Sequence, residues 1–298
     1  MHPWSLGNAV MLAVDRAVVM ATVVGHQVTE CGREAVWRRT RRSHWQLIVA
    51  LLQRGATVPP VLTKALWCDI RIFRIDWLHT VDQGIAADFV ASLFLAVCTH
   101  FEGSSHKARV ATLWGLLRDW YHAEGVADRL QSLVPSMIKA PVKRPKLRCK
   151  AAECRALVPF ALLLARKFLA PSPKPREAAV ATAMEFLSQC YHALGRDSIF
   201  SHDVLQESGV NFALQYCTLA RAWAAEEFFQ PKPKLHLFLH LCEEGAPVKT
   251  WTYRDEDFGG SVAAWARRRG GARTTRAFSQ SVLDRFRIKH PVLRLRGT

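Results

Sequence analysis

Paired cysteines, long uncharged apolar runs, internal repeats and low-complexity tracts are all missing from this chain, and each absence removes a class of protein. The eight cysteines are scattered without paired spacing, which fits reduced thiols inside a cell rather than a disulfide framework. No stretch of about twenty uncharged apolar residues is present to cross a bilayer. The nearest, Leu6 to Gly25, is interrupted by Asp15 and Arg16. The opening Met1-His2-Pro3-Trp4 lacks the basic start of a secretory signal, so neither a leader nor a membrane partner is expected. Walker-type phosphate loops, G-x-G-x-x-G fingerprints and G-x-S-x-G elbows are absent as well.

Acidic residues are scarce. Asp and Glu number 25 against 41 Lys and Arg, giving a formal net charge of +16 and a pI near 10.0. Such an excess favours a polyanionic partner, nucleic acid or an acidic membrane surface, with plain surface solubility as the ordinary alternative. Half of the 298 residues are hydrophobic and ten are tryptophan, which excludes a disordered tail. The length permits one large domain or two small ones.

Patterning divides the chain into four parts. Residues 1–60 read as helix with a basic stripe, Arg33, Arg38, Arg39, Arg41 and Arg42, ending at Thr57-Val58-Pro59-Pro60. Residues 61–85 hold one β-branched run, Asp69 to Asp76, predicted as a short strand that delivers Asp76 at its end. Residues 86–230 are a helical block. Ala86, Val90, Leu93 and Val97 mark an amphipathic helix, and Val110, Leu113, Leu117 and Trp120 mark another. Further helices cover Cys154 to Leu169, Val180 to Leu194 and Phe212 to Trp223; their aromatic stripes read as bundle core. Between them, Lys139, Lys143, Arg144, Lys146, Arg148 and Lys150 form an acid-free basic segment predicted as an exposed loop. Residues 231–298 hold a short helix, Leu235 to Cys242, and a strand or extended piece, Val248 to Arg254. A helix from Gly259-Gly260 through Trp265 follows, then a tail with ten cations against one acid, Asp284. The expected fold is mainly α with a small β element.

Two motifs suggest chemistry. In Asp76-Trp77-Leu78-His79 a carboxylate and an imidazole can face one site, and hard divalent ions need such oxygen ligands. The plain alternative is that Asp76 caps the following segment and His79 packs locally. Trp251 to Gly260 carries three consecutive acids, Asp255, Glu256 and Asp257; its plain alternative is a solvated turn. His236 and His240 share a helix face but lack further ligands, and Cys149 and Cys154 lack zinc spacing, so both pairs read as structural. The basic clusters suit phosphate neutralisation: Arg38, Arg39, Arg41 and Arg42; Lys143, Arg144, Lys146, Arg148 and Lys150; Arg267, Arg268, Arg269 and Arg273. Pro141 to Leu147 also has the look of a nuclear import signal.

Taken in order, several segments resemble CACTA-type and related D-x-x-H-containing eukaryotic DNA transposases. These are Trp37 to His44, Arg74 to Gly84, Lys150 to Arg155, Lys232-Pro233-Lys234-Leu235-His236, and Trp251 to Gly260. The similarity spans about Arg33 to Gly271. It implies an RNase H-like domain whose three acids bind two divalent ions, Mg²⁺ or Mn²⁺, for DNA strand cleavage and transfer. A helical insertion-like bundle would separate the second acid from the third. Asp76 and His79 match the D-x-x-H motif and Glu256 the third acid, so Asp76, His79 and Glu256 are the implied catalytic residues. Glu256 and Asp76 are the implied metal ligands. The family's first two acids lie on strands upstream of that motif, where this chain reads as helix. The resemblance is therefore to a truncated carboxy-terminal part, with catalysis absent or dependent on a missing segment. DNA, a second copy of the chain or a fuller transposase are the implied partners, in the nucleus. The rival expectations are a non-catalytic nucleic-acid-binding protein and a helical interaction scaffold.

Overall fold

The computed structural model describes residues 75–140, 143–195, 199–243, 245–249 and 251–253, with positions 34, 46, 49, 52, 53, 259–261, 264 and 284. It is mainly α-helical, and no strand occurs among the described residues. Two compact units divide it, Met1–Thr250 and Trp251–Thr298.

In the first unit the chain enters helix at Trp77, so Ile75 and Asp76 do not end a strand; residues 69–74 lie outside the described residues. Leu78–Ile85 is wound as a π-helix and continues directly into α1, Ala86–Cys98. Gly84 breaks the winding, with φ −110° and ψ −109°. A Cβ there would sit 2.8 Å from Lys234 Cδ and 3.1 Å from the His79 carbonyl oxygen, so only glycine admits the lysine stem without a shift.

The period-based reading located α1 but not its environment. All thirteen of its residues are buried, where an amphipathic helix would leave one face wet. Phe89, Phe94 and several alanines fill the angles between the predicted stripe positions, and a helix apolar all round goes to the middle of a bundle. Leu78–Cys98 is long and apolar enough to cross a membrane by length and composition, and it is buried inside the protein along nearly its whole length.

The other helices surround it. Helix α2, His106–Glu124, starts where Ser105 Oγ accepts the Ala108 N–H (3.2 Å) and stops at Gly125, whose φ of 61° is left-handed. It buries Val110, Leu113, Leu117 and Tyr121. A single turn, α3 (Pro135–Ile138), precedes the basic segment, and α4, Ala151–Leu164, extends through π-wound Ala165–Leu169. Helices α5, Pro175–Ala193, and α6, His202–Ala222, pack along one another; α7, Pro233–Glu243, lies against α6 and against Leu78–Ile85. Rings lock these layers: Phe89 meets Phe212, Tyr216 and Phe229 at 5.3, 6.0 and 5.3 Å.

Helix α6 approaches α7 through Gly209. An added Cβ would meet Cys242 Sγ at 2.5 Å and Cys242 Cβ at 3.0 Å. Gly209→Ala should therefore push the two helices apart and destabilise the protein by about 1–3 kcal/mol despite alanine's better helix propensity. Urea unfolding followed by circular dichroism checks this; a variant at least as stable as the parent would mean the contact is not tight.

In the second unit the Trp251 and Tyr253 rings stand edge to face at 5.4 Å. The strand or extended piece expected over Val248 to Arg254 is interrupted at both ends: Pro247–Lys249 is a 3₁₀ turn and Tyr253 is helical, Trp251 and Thr252 are in no regular element, and Thr250 and Arg254 lie outside the described residues. Gly259, Gly260, Ser261 and Ala264 are helical, where a helix was expected.

Candidate functional site

Asp76 stands at the mouth of the central helix. Its Oδ2 accepts the His79 backbone N–H at 2.8 Å and lies 2.6 Å from His79 Nδ1, while its carbonyl accepts the Thr80 N–H at 3.1 Å. One carboxylate thus closes the helix start and fixes the imidazole's orientation. The Asp76 side chain is 14% exposed and that of His79 45%. A carboxylate-oriented imidazole is equipped for proton transfer, whereas metal binding needs more oxygen donors.

The chain from 155 residues further on covers this helix start. Lys234 Nζ donates to the His79 carbonyl at 2.5 Å, its stem lying over Gly84. Lys232 Nζ reaches Asp88 Oδ2 at 2.6 Å. Trp77, fully buried, meets Phe238 of α7 and Tyr191 of α5, and Tyr191 donates its hydroxyl to Asp82 Oδ1 at 2.5 Å. The K-P-K loop and the D-x-x-H turn are therefore one structural unit.

Asp88 is the strained member. Burial raises its carboxyl above the ordinary value of 3.8, opposed by the Lys232 hydrogen bond and charge and then by the charges of Lys146 and Lys234. Its Oδ1 is buried without a hydrogen-bond partner among the described residues. Sequence reasoning passed over Asp82, Asp88 and Tyr191. The available signal was two acids inside an otherwise apolar run, which demand partners.

Of the candidate residues, Asp76 and His79 are brought together. Lys143, Arg144, Lys146, Arg148 and Lys150 are exposed, as expected, but not on a free loop: Pro145 and Leu147 are buried between them. Arg38, Arg39, Arg41, Arg42, Glu256, Arg267, Arg268, Arg269 and Arg273 lie outside the described residues.

Of the two implied ligands of the divalent ions, Asp76 is described and Glu256 is not. Asp76 Oδ2 already serves His79 twice, and no group of three or more His, Cys, Asp or Glu able to hold a metal occurs among the described residues. His236 and His240 face one another on α7, Nε2 to Nε2 at 3.1 Å. Cys149 and Cys154 are in thiol contact, which, with burial, pushes the Cys154 thiol well above its usual range. No family model matches the chain, and no curated protein or solved structure matches it.

Proposed function

We propose that this chain is a transposase-derived DNA-binding protein whose ancestral reaction was metal-dependent strand cleavage and transfer, and that it acts without that reaction. In this reading Ala86 to Gln230 descends from the helical insertion-like bundle of an RNase H-like domain, whose residual β element is a small remnant. DNA is the partner and the nucleus the compartment. The observation that carries it is the meeting of two family-like motifs distant in the chain: Asp76-Trp77-Leu78-His79 and Lys232-Pro233-Lys234-Leu235-His236, joined by the Lys234–His79 hydrogen bond. Net charge of +16 supports the choice of partner. The Asp76 carboxylate, engaged as a helix cap, supports the non-catalytic form.

The test has two arms. Retention on immobilised DNA should be strong at low salt and fall steeply as salt rises; no retention at low salt would remove DNA as the partner. Incubation with supercoiled plasmid and Mg²⁺ or Mn²⁺ should give the same low nicking for the parent and Glu256→Ala. Nicking by the parent that Glu256→Ala abolishes would make the chain an active enzyme with Glu256 as a working ligand.

A further inference from the structure

The basic segment after α3 is a strap with two faces. Lys146 N–H donates to the Ile138 carbonyl (2.9 Å), Arg148 N–H to the Met137 carbonyl (2.8 Å), and Leu147 N–H to the Ala87 carbonyl at the head of α1 (3.0 Å). Leu147 is 2% exposed and Pro145 is buried, while Arg144, Lys146, Arg148 and Lys150 are exposed. Alternation with a period of two is the signature of extended chain, which separates side chains on one face by about 6–7 Å. Arg144, Lys146 and Arg148 thus share one face of extended chain, held by backbone hydrogen bonds to the bundle, and Lys150 follows beyond a bend at Cys149.

Four other described cations are paired with acids, which these are not. Arg166, Lys174, Arg176 and Lys232 are answered by Glu185, Glu177, Glu226 and Asp88. Arg144, Lys146, Arg148 and Lys150 form no salt bridge among the described residues, and no acid lies between positions 139 and 150. Pro145 and Leu147 point inward, so between Arg144 and Arg148 the strap offers a bilayer no apolar side chain to insert. A line of cations without salt bridges, of which Lys146 alone acts on the buried Asp88, matches a polymer that repeats one negative charge per unit.

We infer that Arg144, Lys146, Arg148 and Lys150 form a rail that follows the phosphodiester backbone of a nucleic acid without reading its sequence. The inference rests on the DNA-binding reading above and assigns the contact to this element. Pinning by Leu147 lowers the ordering cost of the contact relative to a free basic loop.

The experiment uses the whole chain and a labelled duplex of arbitrary sequence. One variant carries Arg144→Gln, Lys146→Gln, Arg148→Gln and Lys150→Gln; a control carries Lys107→Gln, Arg118→Gln, Lys167→Gln and Arg221→Gln, exposed cations on other helices. Both lose four charges and keep the buried anchors, and matching circular dichroism confirms the fold. The rail variant should lower the slope of log affinity against log salt by about three to four, at roughly 0.9 per phosphate contact. The control should keep nearly the parental slope. Equal losses in both variants, or no change in the rail variant, overturns the rail while leaving DNA binding intact. A parent that binds no duplex at low salt overturns the underlying reading as well. Equally tight, equally rail-dependent binding of polyglutamate overturns nucleic acid as the partner.

Discussion

Trp77→Ala should destabilise the first unit by about 3–5 kcal/mol, the range for truncating a fully buried aromatic whose cavity cannot collapse. Trp77 is 0% exposed and joins three parts of the bundle: the helix start that carries it, α5 through Tyr191 at 5.6 Å, and α7 through Phe238 at 6.0 Å. Its indole N–H is buried without a partner among the described residues. Trp77→Phe removes that unmet donor and keeps an aromatic ring, so it should cost much less than the alanine change. Urea unfolding read by circular dichroism, which does not depend on the lost fluorophore, measures both. If phenylalanine proves as damaging as alanine, the indole N–H has a partner and the cavity account is incomplete.

The second large effect is expected at Lys232. Lys232→Met keeps the stem but strands the Asp88 carboxylate, whose side chain is 7% exposed and whose other oxygen is already unmet. Removing one partner of such a pair costs about 3 kcal/mol at neutral pH. The pH dependence gives the claim a sign. Asp88 has its folded pKa raised above the ordinary 3.8, burial being the main cause, so between those values the folded state binds more protons than the unfolded one. Stability from this group is therefore present at acid pH and lost as pH rises through the window. Lys232→Met removes the main opposing influence, moves the folded pKa further up and widens the window. The deficit relative to the parent should shrink steadily from pH 7 towards pH 4. Adding Asp88→Asn to Lys232→Met should recover much of the neutral-pH loss and flatten the pH profile. A deficit independent of pH, unaffected by Asp88→Asn, would assign the loss to the lysine stem instead.

Helix periodicity in the sequence located the bundle well, because each stripe is set by local spacing. Val110, Leu113 and Leu117 are buried in α2, where Tyr121 rather than the expected Trp120 is the fourth buried residue, and Phe212, Tyr216, Leu219 and Trp223 are all buried along or just past α6. Burial on the remaining faces was not legible. It depends on what packs there, so α1 read as amphipathic although it is enclosed on all sides. Of the strand expected over Asp69 to Asp76 only Ile75 and Asp76 are described, and they carry no strand; the acid three residues before a backbone N–H it accepts starts the helix instead. The D-x-x-H pair was recognisable from spacing alone, and so was its capping role. The lysines that complete the site were not, since Lys232 and Lys234 reach it only after most of the bundle has intervened. Likewise the two-faced character of the strap hinges on Pro145 and Leu147, two residues that composition hides among cations.

The wide coil over Leu78–Ile85 bears on how this region tolerates change in length. A π turn holds more residues than an α turn over the same path, so it behaves as a helix with spare chain folded into it. Deleting one residue there would let the backbone relax to ordinary winding over the same path, with α1 clamped by its neighbours and the segment ahead close to its place. The same deletion in an ordinary α turn would rotate what lies ahead by about 100°. The coil is thus a store of slack, so that a lost residue here spares the aim of the D-x-x-H turn and the cage around Trp77.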